Sequence, residues 1–262
     1  METVLSKDGT PIAYGRTGMG APVLLVHGTT HDQHNWAPVL PALEREHRVH
    51  FMDRRGRGHS GDAPAYALAR EAEDIAAVVD AIGGVVDVVG HSFGGLCALE
   101  AARLTPNVRR LVLYEPTLPL GPPRSEIVER MQTLIDAGER EQALLLFYRD
   151  VLRMPPADLA ALQASPRWTA RVAAAHTIAR ELQSLDAYRF DPEPFRAMQA
   201  PTLVLVGGDS PPFRRTVAET LRAALPNSQI GVLPGQGHGA IEAAPDVFAR
   251  AVIPFLAREI PG

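Results

Sequence analysis

One serine in this chain stands where a hydroxyl could be made reactive. Gly90-His91-Ser92-Phe93-Gly94, within "DVVGHSFGGLCALEAA" (87–102), fits the pattern G-x-S-x-G. An apolar run ends at Gly90 and a helical pattern begins after the serine, so Ser92 is expected on a tight strand-to-helix turn that lifts Oγ into a cleft. A serine hydroxyl is a weak nucleophile until a general base, itself oriented by an acid, takes its proton. His238, in "LPGQGHGA", is the candidate base, because flanking glycines leave the ring room to swing into the cleft. Asp209, in "LVLVGGDSPP", is the candidate acid. Together the three residue types point to acyl transfer by nucleophilic catalysis.

The elements that must position these groups are legible as short β-branched runs. "PVLLVHG" (22–28), "RVHFMD" (48–53), "VVDVVG" (85–90), "VRRLVLYE" (108–115), "PTLVLVGG" (201–208) and "SQIGVLPG" (228–235) each read as a strand. Their near-continuous apolarity suits a parallel sheet covered on both faces. At the start, Asp8-Gly9 between two short strands is a hairpin signal. Leu68, Ala72, Ile75, Val79 and Ile82 recur at helical spacing, with Gly83 and Gly84 after them as a stop. Strand and helix alternate, which predicts an α/β doubly wound sheet. From 116 to 199 the alternation fails: amphipathic helices succeed one another without a strand, bounded by prolines. That stretch is expected to be a helical insertion over the end of the sheet, dividing the chain into a core (1–115 and 200–262) and the insertion (116–199).

The chain resembles the α/β-hydrolase superfamily in its small, lidded form, over essentially its whole length. The order Ser92, Asp209, His238 is that family's order. His27-Gly28-Thr29 after a strand looks like its oxyanion-loop motif, and Asp53-Arg54-Arg55-Gly56-Arg57-Gly58-His59-Ser60 resembles its D-x-R-G-x-G-x-S segment. The insertion falls where the family carries its cap. The resemblance implies a mostly parallel eight-stranded sheet with helices on both faces and a helical cap after the sixth strand. It also implies a Ser-His-Asp triad and an oxyanion hole made by the backbone N–H groups of Thr29 and Phe93. The family's usual G-x-x-D spacing, counted from Gly207, lands on Ser210 rather than Asp209. Glu115, at the tip of "LVLYEP", is therefore the alternative acid, since some members place theirs after that strand.

The implied activity is hydrolysis of a small carboxylic ester or lactone through an acyl-enzyme. Carbon–carbon bond hydrolysis, perhydrolysis, cofactor-free lyase or cyclase chemistry, and ligand binding by an idle triad are the alternatives on the same scaffold. His27, Asp32 and His176 are expected at the substrate pocket, and Trp36 as a packing residue under the cap. The arginines of the insertion read as a solvated helical face.

Other signals point nowhere else. Gly56 to Gly61 matches G-x-G-x-x-G, but two arginines precede it and Pro64 breaks the segment after it, unlike a dinucleotide fingerprint that opens directly into a helix. His27, His31 and His34 lack the helix and the further ligands that a metal site needs, so no cofactor and no metal are expected. A net charge of −4 without a basic block gives no footprint for nucleic acid. No apolar stretch approaches the about 20 residues of a membrane span. The lone Cys97 fits a reducing compartment, and "METVLSKDGT" is unlike a signal peptide. The expected partner is a small acyl substrate, and the expected location is the cytoplasm.

Overall fold

Neighbouring residues of the apolar strands are buried in different places, as the two-residue repeat of a strand requires. Val88 packs on one side of the sheet with Leu24, Leu111 and Val204, while Val89 packs on the other with Val23, Val112 and Leu203. The computed structural model describes residues 1–258. Among these residues the strands are β1 (Glu2–Leu5), β2 (Pro11–Thr17), β3 (Ala21–Val26), β4 (His47–Met52), β5 (Val86–His91), β6 (Val108–Tyr114), β7 (Thr202–Gly207) and β8 (Ser228–Leu233). They form one eight-stranded sheet in the order β1-β2-β4-β3-β5-β6-β7-β8. β3 through β8 run parallel, and β2 is antiparallel to both of its neighbours. The expected strands lie within two residues of those observed, and the Asp8-Gly9 turn joins β1 to β2.

The helices are α1 (Leu40–Leu43), α2 (Leu68–Ile82), α3 (Phe93–Ala101), α4 (Ser125–Asp136), α5 (Arg140–Leu146), α6 (Pro156–Gln163), α7 (Trp168–Ala174), α8 (Ile178–Ala187), α9 (Pro212–Ala224), α10 (Ala240–Ala243) and α11 (Pro245–Leu256). α2 presents Leu68, Ala72, Ile75 and Val79 to one face of the sheet, beside Leu96 of α3 and Val217 and Leu221 of α9. α1 and α11 cover the opposite face through Leu43, Phe248 and Val252. Burying each such large apolar side chain contributes about 1.5–3 kcal/mol. Trp36 differs from expectation: its ring lies 6.1 Å from Phe248, so it packs in this second core rather than under the insertion.

Between β6 and β7 the described chain is helical, α4 to α8, with a core of its own that includes Met131, Leu144, Phe147, Ile178 and Leu182. α5 continues into a π-type turn, Phe147–Val151, an irregularity that concentrates at functional sites. Among the described residues no helix is long and apolar enough to cross a membrane.

Candidate active site

Ser92 occupies the turn between β5 and α3 with φ 56° and ψ −125°. A side-chain-bearing residue in the positive-φ region costs about 1–3 kcal/mol, so its surroundings must hold it there. The hold is visible. Ser92 N–H donates to the Tyr114 carbonyl at 3.0 Å, tying the turn to β6. The flanking glycines are required by space: a Cβ on Gly94 would lie 2.2 Å from the His27 carbonyl oxygen, and one on Gly90 would lie 2.7 Å from Gly95 Cα.

His238, in the loop after β8, brings Nε2 to 3.1 Å from Ser92 Oγ. Its Nδ1 lies 2.6 Å from Glu115 Oε2. The carboxylate assigns the ring proton to Nδ1, so Nε2 is left to accept from the serine hydroxyl. Burial lowers the His238 pKa, and the positive charge of Arg214 lowers it further, against the opposing pull of Glu115. The resting imidazole is therefore a neutral base. Around Glu115 burial works against ionisation, but the hydrogen bond and charge of His238 outweigh it with help from Arg214, and the carboxyl pKa falls below its usual value. Glu115 Oε1 accepts the Gly207 N–H at 2.8 Å, and the Arg214 guanidinium donates to the Glu115 carbonyl at 3.2 Å.

The structure corrects the expected acid. Asp209 is exposed, and its backbone N–H donates to the Gln236 carbonyl at 2.9 Å, which turns this loop away from the imidazole. Glu115, the alternative, is 1% exposed and stands where the acid is needed. Like Ser92, it has positive φ, 43°, as β6 ends and the chain turns into the insertion.

Supporting groups that sequence reasoning missed surround His238. His91, adjacent to the serine, donates from Nε2 to the His238 carbonyl at 3.0 Å. The Tyr114 hydroxyl donates to the Gly237 carbonyl and accepts the Ala240 N–H at 3.3 Å. Nothing in their sequence pattern marks them, because their partners lie more than a hundred residues away.

Thr29 and Phe93, the expected oxyanion residues, line one cavity with Ser92. His27 is fully buried beneath them, accepting the Arg54 N–H at Nε2 (3.1 Å) and facing the Gly28 carbonyl with Nδ1 (2.9 Å). It therefore fixes the loop, and it lines neither cavity that reaches Ser92. Asp32 also departs from its expected place: Oδ1 accepts the His34 N–H, capping a short helical turn. His176 faces the Ala173 carbonyl with Nδ1, and it shares with Asp32 a cleft that excludes Ser92.

The two cavities that meet at Ser92 measure about 320 and 170 Å³. The larger is bounded by Thr29 and Phe93 of the core and by Phe147, Leu182 and Leu185 of the helical insertion. The smaller holds His31, Tyr148, Arg171 and His238. Arg171 was expected on a solvated face, but it is only 5% exposed, with hydrogen bonds to Tyr148 Oη and the Glu242 carboxylate. Chemically, a hydroxyl, an imidazole and a carboxylate in series are an arrangement that can pass a serine proton to the imidazole while the carboxylate stabilises the imidazolium. Among the described residues no cluster of His, Cys, Asp and Glu is disposed to hold a metal ion.

Residues 23–251 match the model of the "Alpha/beta hydrolase family". An alpha/beta hydrolase of known structure from Sphaerobacter thermophilus DSM 20745 is 36% identical, with a TM-score of 0.88 over 98% of this chain and 100% of that one. The esterase RhEst1 from Rhodococcus sp. ECU1013 is 27% identical, with a TM-score of 0.77 over 98% of both chains. A putative carbamate hydrolase, RutD, from Variovorax paradoxus (strain S110) is 32% identical over 250 residues, 91% of this chain and 92% of its own.

Proposed function

Because this chain belongs to the alpha/beta hydrolase family, we propose that it is a serine hydrolase cleaving a small carboxylic ester or lactone, with Ser92, His238 and Glu115 as its triad. The observation that carries the reading is the unbroken relay from Ser92 Oγ to His238 Nε2 (3.1 Å) and from His238 Nδ1 to Glu115 Oε2 (2.6 Å). Ser92 attacks the carbonyl carbon as His238 takes its proton, and the tetrahedral oxyanion sits against the N–H groups of Thr29 and Phe93. Collapse expels the alcohol, which receives its proton from His238. Water, deprotonated by the same imidazole, then attacks the acyl-enzyme and frees the acid and the serine.

Two features support a small substrate. The cavities at Ser92 are of modest volume, and the helical insertion, in the role of a cap, closes over the larger one with Phe147, Leu182 and Leu185. An esterase and a putative carbamate hydrolase among the chain's relatives agree with attack on a carboxyl carbon. The test is a turnover panel of p-nitrophenyl esters of graded chain length, lactones and carbamates, assayed with wild type and Ser92→Ala. Ester or lactone turnover that disappears in Ser92→Ala is the expected result. Turnover that survives in that variant contradicts the acyl-enzyme and leaves His238 acting as a base alone.

A further inference from the structure

One side chain on the wall of the larger cavity has incomplete hydrogen bonding. Glu181 of α8 is 1% exposed and joins a buried cluster with Arg54, Arg57 and Glu71. Its Oε1 accepts from Arg54 Nη2 at 2.7 Å and from Arg57 Nη2. Its Oε2 is buried and has no partner among the described residues. The neighbouring guanidinium hydrogens are directed elsewhere: Arg54 Nε donates to Glu71 Oε2 at 3.0 Å, and Arg57 Nη1 to the Arg55 carbonyl at 3.1 Å. A buried carboxylate oxygen with no donor is destabilising, and native structures keep few of them. Glu181 lines the cavity that also contains Ser92, Thr29 and Phe93.

We propose that Glu181 is a specificity-determining residue whose free oxygen accepts a hydrogen bond from an uncharged donor on the substrate, a hydroxyl or an amide N–H. The inference rests on the ester-hydrolase reading and narrows it to esters or lactones that carry such a group near the reacting carbonyl. Charge selects the uncharged donor. Two guanidiniums face two carboxylates in this cluster, and the other ions of the cavity are paired as Arg124 with Asp186 and Arg214 with Glu115. An ammonium would bring an unbalanced positive charge beside Arg54 and Arg57, whereas a hydroxyl completes the cluster by a charge-assisted bond without altering its sum. Proximity to the carbonyl comes from Arg57, which spans from the Thr29 carbonyl (3.0 Å) to Glu181. A substrate lacking the donor leaves Oε2 unpartnered and gains nothing there, which is how a polar site rejects an apolar analogue.

The experiment is binding to the Ser92→Ala protein, where no turnover intervenes. Matched esters are compared as deoxy, hydroxy, methoxy and ammonium forms, with the substituent moved along both the acyl and the alcohol chains. At one position the hydroxy ester is expected to bind about 10- to 100-fold more tightly than its deoxy partner. Glu181→Gln in the same background keeps its carbonyl on the two arginines and turns its NH2 into the cavity, so a preference for the methoxy form is expected. Equal affinity within every pair, or an ammonium form that binds best, overturns the proposal. The binding series on Ser92→Ala alone decides it if Glu181→Gln does not fold. Wild-type turnover of the deoxy esters separates the two readings: turnover with flat binding pairs rejects only the donor subsite, and a hydroxyl preference without turnover rejects only the hydrolase.

Discussion

Replacing Glu115 by glutamine tests the acid assignment against the one that chain order suggested. The carboxylate makes two bonds at once: Oε2 holds His238 Nδ1 at 2.6 Å, and Oε1 accepts the Gly207 N–H at 2.8 Å. Both partners are donors, and an amide offers only one oxygen. If that oxygen stays on Gly207, the amide NH2 faces Nδ1 and drives the ring proton to Nε2, where it blocks transfer from Ser92. If the oxygen turns to His238, two N–H groups collide at Gly207. Loss of the correct tautomer costs about 10³- to 10⁴-fold in kcat, which is about 4–5.5 kcal/mol at 1.36 kcal/mol per factor of ten. Arg214 also loses the charge that balances it, so a lower Tm is expected alongside. The assay is kcat and kcat/KM on a p-nitrophenyl ester, with Asp209→Asn as the companion. That variant alters an exposed side chain and is expected to behave as wild type. A crippled Asp209→Asn beside a nearly active Glu115→Gln would refute the reasoning.

The same geometry fixes three further outcomes. The acidic limb of kcat/KM is expected below pH 6.5, because burial and Arg214 lower the His238 pKa; Arg214→Met removes a charge that disfavours imidazolium and should move the limb to higher pH. Thr29→Ala keeps the backbone donor, so kcat should fall far less than the about 10²- to 10³-fold that accompanies loss of an oxyanion contact. Gly94→Ala forces a methyl to 2.2 Å from a backbone oxygen; overpacking of about 1–3 kcal/mol is expected, lowering Tm in thermal unfolding by about 2–4 °C for each kcal/mol.

The sheet was legible because six apolar runs, each too short for a helix, were separated by helical periodicity and glycine. Ser92 and His238 were legible because glycine punctuation marks both loops. The acid was not. Choosing between the tips of β6 and β7 depends on how the turn after Gly207 bends, and there Gly207 N–H points at Glu115 while Asp209 points to solvent. Arg54 and Arg57 stood in a visible motif, yet arginine is seldom fully buried. Their burial depends on Glu181, more than a hundred residues away on α8. His176 and Asp32 failed as pocket residues for a related reason: only packing decides which face of the insertion meets the cavity that reaches Ser92, and Asp32 spends its carboxylate on capping the turn at His34.

The most direct trial of the reactive serine is labelling with a fluorophosphonate, then intact mass and peptide mapping. One adduct per chain on Ser92, forming in step with loss of turnover and absent from His238→Ala, is the predicted result. An adduct on another residue, or full activity in protein whose Ser92 is blocked, would contradict it.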